Sequence, residues 1–120
     1  MSKDFNWSSF NMSKIRGLGK QVVYINLEDN HSNIPVKLPV MIVKGNTDGP
    51  TLTVLGGVHG DEYEGPLAIR QLFEKINPSS LNGTFIGLPQ SNPPAAEAGT
   101  RQSPIDNLNL ARVFPGNQTG

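Results

Sequence analysis

The stretch that most limits how this chain can fold runs from Thr51 to Pro89, because the spacing of its apolar residues changes twice along it. "TLTVLGG" (51–57) is a short apolar run closed by two glycines, the pattern of a buried strand. In "PLAIRQLFEKINP" (66–78), Ile69, Leu72, Phe73 and Ile76 fall at i, i+3, i+4 and i+7, while Arg70, Gln71, Glu74 and Lys75 take the other face. That spacing predicts an amphipathic helix. Pro66 suits its first turn and Asn77-Pro78 its end. "GTFIGLP" (83–89) then returns to strand character. Strand, helix and strand in succession predict a βαβ unit in a parallel or mixed sheet. Upstream, "QVVYINL" (21–27) and "VKLPVMIVKG" (36–45) add two more strands, and the turn formers of "KGNTDGPT" predict a tight link from the second of these to Thr51. The expected fold class is α/β, a mixed sheet with flanking helices.

Size and charge exclude several functions. At 120 residues the chain suits one small domain and is light for a complete hydrolase. Ten basic residues balance ten acidic ones and neither sign forms a run, so no nucleic-acid partner is expected. Cysteine is absent, which removes disulfides, thiolate metal sites and cysteine nucleophiles. Any metal would have to be held by histidine and carboxylate. Residues 1–20 read as a polar extension without the apolar core of a signal peptide, and no segment has membrane-spanning length, so no membrane partner and a cytoplasmic location are expected. Sequons at Asn6, Asn11, Asn82 and Asn117 imply nothing about glycans without an export signal. Phe5, Trp7 and Phe10 are expected to pack, and "RGLGK" (16–20) reads as a flexible turn rather than a phosphate loop.

The chemistry concentrates in "GGVHGDEYEG" (56–65). Glycines let the chain turn sharply at the carboxyl end of a strand, the edge at which open α/β sheets bind ligands. His59 and Glu62 are three apart, so in a coiling segment both face the same way. An imidazole and a carboxylate suit zinc, whose catalytic sites commonly take two histidines and a carboxylate and leave a position open for water. Spacing alone equally allows His59 to solvate the start of the helix while Asp61, Glu62 and Glu64 complement its positive end. His31, the other histidine, sits in the turn-like "EDNHSN" and reads as an exposed loop residue. Asp61 or Glu64 would raise the ligand count, but crowded carboxylates favour oxygen-loving cations over zinc. Residues 90–120 show neither helical nor strand periodicity, yet they keep Leu108, Leu110, Val113 and Phe114 around two arginines. A site-lining loop supported from beyond residue 120 is predicted there.

"GGVHGDEYEGPLAI" resembles the first zinc-ligand motif of the succinylglutamate desuccinylase and aspartoacylase family, which shares its fold with the zinc carboxypeptidases. "NPPAAEAGTRQSPIDNLNLARVFPG" resembles that family's second block, in which one arginine precedes an Asp-containing turn and another precedes Phe-Pro-Gly. Two blocks in this order, over roughly residues 50–116, are far more specific than a three-residue pattern. The resemblance implies a zinc carboxypeptidase-like fold, with residues 21–120 as the N-terminal part of a zinc-dependent hydrolase domain. It implies Zn2+ as cofactor, His59 and Glu62 as metal ligands, Arg101 as the group that polarises the scissile carbonyl, and Arg112 as the holder of a substrate carboxylate.

The implied reaction is removal of an acyl group from a small N-acylated amino acid or related compound, by cleavage of an amide bond. Those roles are chemically coherent. A zinc-bound water ionises near neutrality, a guanidinium stabilises the charge developing on a carbonyl oxygen, and a planar guanidinium grips a carboxylate through two hydrogen bonds. Ordinary surface ion pairs are the alternative fate for both arginines. Many family members carry Asn immediately before the second arginine, where this chain has Ala111, so a hydrogen bond to the substrate carboxylate is lost; Asn109 stands two positions too early to inherit it. The family's third zinc ligand, a histidine, and its general-base glutamate lie downstream of these blocks. The chain is therefore expected to be truncated and inactive alone. A zinc carboxypeptidase or peptide amidase would share the ligands and differ in substrate size, and a catalytically inert or binding domain would hold no zinc.

Overall fold

The computed structural model describes residues 3–27 and 35–118. His31 lies outside them. Five strands, β1 (Lys3–Asn6), β2 (Gly19–Leu27), β3 (Val36–Lys44), β4 (Thr47–Leu55) and β5 (Asn82–Leu88), form one mixed sheet in the order β1-β2-β3-β5-β4. β1 runs parallel to β2, β2 and β5 run antiparallel to β3, and β4 runs parallel to β5. Helix α1 (Glu64–Lys75) links β4 to β5, so the expected βαβ unit is present. The link from β3 to β4 is as tight as its turn residues predict, but β5 inserts between the two strands it joins.

Period-two alternation distributes the core over two faces of the sheet. On one face Val23, Ile25, Val40 and Ile42 are buried together with Ile15, and Phe5, Phe10, Met12 and Ile86 pack against them. On the other, Val43 and Phe85 meet Ile69 of α1, with Phe73 and Ile76 beside it. Gly87 lies under α1, where a Cβ would fall 2.6 Å from Ile69 Cγ2; the missing side chain sets how closely the helix approaches.

The structure revises three sequence expectations. Residues 3–15 of the polar N-terminal stretch supply β1 and cover one sheet face: Phe5 and Phe10 stack edge to face with centroids 5.3 Å apart, while Trp7 is exposed. The strand expected to be buried, β4, lies at an edge of the sheet and leaves Leu52 and Leu55 exposed, with Val54 packing against the core cluster under α1. Leu72 of α1 is exposed as well, leaving Ile69, Phe73 and Ile76 as the packed stripe.

The third revision is a helix, α2 (Pro93–Ala98), where no periodicity was visible. Six residues are too few to show a period, so its ends define it. Asn92 Oδ1 accepts from the Ala95 N–H, Pro93 and Pro94 occupy the first turn, and Gly99 at φ 67° closes the helix. The Gly99 and Thr100 N–H groups donate to the Ala96 and Ala95 carbonyls, a Schellman closure.

Two substitutions test this packing. Ile42 is fully buried at the centre of the sheet, and Ile42→Ala should lower unfolding free energy by about 2–5 kcal/mol in urea titrations. A Cβ on Gly60 would overlap the Ala95 carbonyl of α2, which is backbone and cannot rotate away. Gly60→Ala should therefore destabilise by about 1–3 kcal/mol, seen as a lowered melting temperature.

Candidate metal and substrate site

The site grows from the carboxyl ends of the parallel strands β4 and β5. Pairing continues one residue beyond β4, where the Gly56 N–H donates to the Leu88 carbonyl at 2.9 Å and the Gly56 carbonyl accepts from the Ser91 N–H at 2.9 Å. Gly57 adopts φ 66°, in the left-handed region, and a Cβ there would fall 2.7 Å from the Pro89 carbonyl. The chain then turns through Val58–Asp61, with the Glu62 N–H donating to the His59 carbonyl at 3.4 Å, before α1 begins at Glu64. Asn92 is buried and clamps this turn from the β5 side, its Nδ2 donating to the Val58 carbonyl at 3.4 Å.

Within that frame His59 and Glu62 come together, with Nδ1 3.2 Å from Oε2. Glu62 Oε1 faces Arg101 Nη1 at 3.7 Å, so the carboxylate lies between an imidazole and a guanidinium. The other ring nitrogen, Nε2, meets Asn109 Oδ1 at 2.9 Å. His59 is only 12% exposed at its side chain, whereas Glu62 and Arg101 are 59% and 52% exposed. The imidazole is thus held by its surroundings, and the charged groups beside it stay open to a ligand. Arg112 is exposed at the end of the 3-10 turn Leu110–Arg112, and its guanidinium takes no partner among the described residues. Asp61 and Glu64 are likewise exposed and unpartnered there.

Of the four residues singled out by sequence, the structure brings three into contact and places Arg112 three residues beyond Asn109 on the neighbouring turn. Two contributors escaped the sequence reading. Asn109 touches His59 across fifty positions of chain, and no local pattern reports such a contact. Arg70, assigned to the outer face of α1, lines a cavity of about 310 Å³ together with His59, Glu62, Tyr63, Leu67 and Gln90. Its spacing of seven from Tyr63 and three from Leu67 was the available signal, since all three lie on one flank of the helix.

An imidazole nitrogen and a carboxylate oxygen facing each other can hold a divalent cation as two of its ligands. No cluster of three or more His, Cys, Asp or Glu side chains able to hold a metal forms among the described residues. No helix among them is long and apolar enough to cross a membrane.

Known proteins of similar sequence and fold place the chain among its relatives. Over 85 residues the chain is 45% identical to an N-alpha-acetyl-L-2,4-diaminobutyric acid deacetylase of Halomonas elongata, a match covering 71% of this chain and 25% of that protein. A solved succinylglutamate desuccinylase/aspartoacylase from Rhodobacter sphaeroides superposes with a TM-score of 0.74 at 39% identity, covering 87% of this chain and 32% of the other. The product-bound structure of an ectoine utilization protein from Ruegeria pomeroyi superposes with a TM-score of 0.72 at 37% identity, with the same coverage. The chain thus spans about a quarter to a third of the length of these relatives. The sequence model of the succinylglutamate desuccinylase/aspartoacylase catalytic domain matches residues 48–120, which include the turn bearing His59 and Glu62 and the segment bearing Arg101 and Arg112, and the chain belongs to that family.

Proposed function

We propose that this chain supplies two metal ligands, His59 and Glu62, and two substrate-handling arginines, Arg101 and Arg112, to a zinc-dependent hydrolase that cleaves the amide bond of a small N-acylated amino acid or related compound. The observation that carries the reading is the His59–Glu62–Arg101 constellation, with separations of 3.2 and 3.7 Å at the end of a parallel strand. A deacetylase relative at 45% identity supports an N-acyl substrate.

The donor set fits zinc: one imidazole and one carboxylate account for two ligands of a common catalytic arrangement. When bound, the ion supplies a water that ionises near neutrality and a Lewis acid for the carbonyl. The remaining chemistry belongs to the chain. Glu62 holds Arg101 close to the metal pair, and a guanidinium there would stabilise the negative charge that develops on an attacked amide carbonyl. Arg112, whose planar fork has no partner among the described residues, would hold a substrate carboxylate, fixing orientation as well as charge. Ala111 lacks the amide that would assist it, so Arg112 bears more of that contact alone. Gly57 and Gly60 line the cavity beside His59 and let the turn pack directly against the Pro89 and Ala95 carbonyls, which holds that wall in place.

Two sets of variants test the assignment in the full-length protein. Zinc content measured by atomic absorption should fall from about one per chain to near zero in His59→Ala and in Glu62→Ala, with hydrolysis lost; activity surviving either change overturns the metal assignment. Arg112→Ala should raise KM for carboxylate-bearing substrates by about tenfold to a hundredfold, the equivalent of losing ~1.5–3 kcal/mol of charged hydrogen bonding. Arg101→Ala should instead lower kcat by about 10²–10³-fold. An unaltered KM in the first, or an unaltered kcat in the second, removes that role.

A further inference from the structure

Asn109 makes two contacts through one atom. Its Oδ1 accepts from the Ala111 N–H at 3.0 Å and lies 2.9 Å from His59 Nε2. A backbone N–H can only donate, so the atom it meets must be the amide oxygen; the side chain cannot flip without losing that bond. An oxygen fixed in this way can only accept, which places the hydrogen of the His59 contact on Nε2. Neutral imidazole carries a single N–H, so Nδ1 is left with its lone pair. That lone pair faces Glu62 Oε2 across 3.2 Å. Two lone pairs opposed at this distance repel unless a proton or another cation sits between them, so with the ring neutral the gap suits a metal ion.

We infer that Asn109 is a positioning residue that locks His59 in the Nε2–H tautomer and so presents Nδ1, paired with Glu62, to the metal. The inference rests on the proposed metal role of His59 and deepens it. Asn109 also caps the 3-10 turn Leu110–Arg112 through the same oxygen. One acceptor therefore ties the orientation of the metal-facing imidazole to the turn that carries Arg112. No charge is needed for this: the neutral amide fixes the proton by geometry alone, and such outer partners commonly set ligand orientation and affinity.

The tautomer is read directly from two-bond 15N–1H correlation spectra of His59 in the metal-free, full-length protein at a pH where the ring is neutral. Wild type should show Nε2 protonated and Nδ1 bearing the lone pair. Asn109→Ala should give a mixture of tautomers, and Asn109→Asp, which keeps an acceptor oxygen and a capping side chain, should restore the Nε2–H form. Zinc affinity, from competition with a chromophoric chelator, should fall by about 10–100-fold in Asn109→Ala and recover in Asn109→Asp. A wild-type ring protonated at Nδ1 overturns the proposal even if no variant folds. So does an Asn109→Ala protein with unchanged tautomer and zinc affinity. The spectra need no metal, so they separate failure of this inference from failure of the zinc assignment, which zinc retention by His59→Ala would reveal.

Discussion

Close contact between backbones, with no side chain between them, is the constraint on which the rest of this structure depends. At the carboxyl ends of β4 and β5, Gly57 lies against the Pro89 carbonyl, and Gly60 lies against the Ala95 carbonyl of α2. Gly56 and Gly65 approach each other as α1 leaves the strand. Each contact leaves no room for a Cβ or very little, and together they draw the turn carrying His59 and Glu62 against the segment that follows β5. Asn92 fastens the same joint from inside, capping α2 with one end of its amide and holding the Val58 carbonyl with the other. The acidic, histidine-bearing loop is thus set in place by neighbours that carry no charge.

Charge enters on top of that frame. Glu62 uses both oxygens, one toward His59 and one toward Arg101, and Glu62 and Arg101 remain largely in water. Exposed pairs of this kind stabilise a fold by little, at most about 1 kcal/mol. The fold therefore does not depend on them, and they stay accessible from solvent. His59 differs: its side chain is largely buried, with an oxygen facing each ring nitrogen.

Much of this was legible in the residues. Strands β2, β3 and β5 and helix α1 follow apolar spacing because each buries a face whose period matches its geometry. The His59–Glu62 contact follows from a three-residue separation on a coiling segment, a purely local relation. Family resemblance pointed to Arg101, and the structure sets it against Glu62. Where the reading fell short, the missing information was non-local or too brief. Nothing near Asn109 reports that it meets an imidazole fifty positions away. Helix α2 spans less than two turns and announces itself only through Asn92, two prolines and Gly99. Strand β1 is four residues long and mostly polar, so its place beside β2 is set by pairing rather than by composition. The apolar character of β4 marked it as a strand but not as the outermost one, since a sequence of Thr, Leu and Val reads alike at either position.

That outer position has a consequence of its own. Among the described residues β4 has a neighbour on one side only, so beyond the irregularity at Asp48–Pro50 amide and carbonyl groups of Thr51–Leu55 point away from the sheet. Exposed Leu52 and Leu55 flank that row with apolar surface, and no lysine or arginine within the strand interrupts it. Such a border is adhesive, because any extended segment laid beside it completes a ladder and buries leucine in the same motion. The loop bearing His59 and Glu62 leaves the sheet at this same rim.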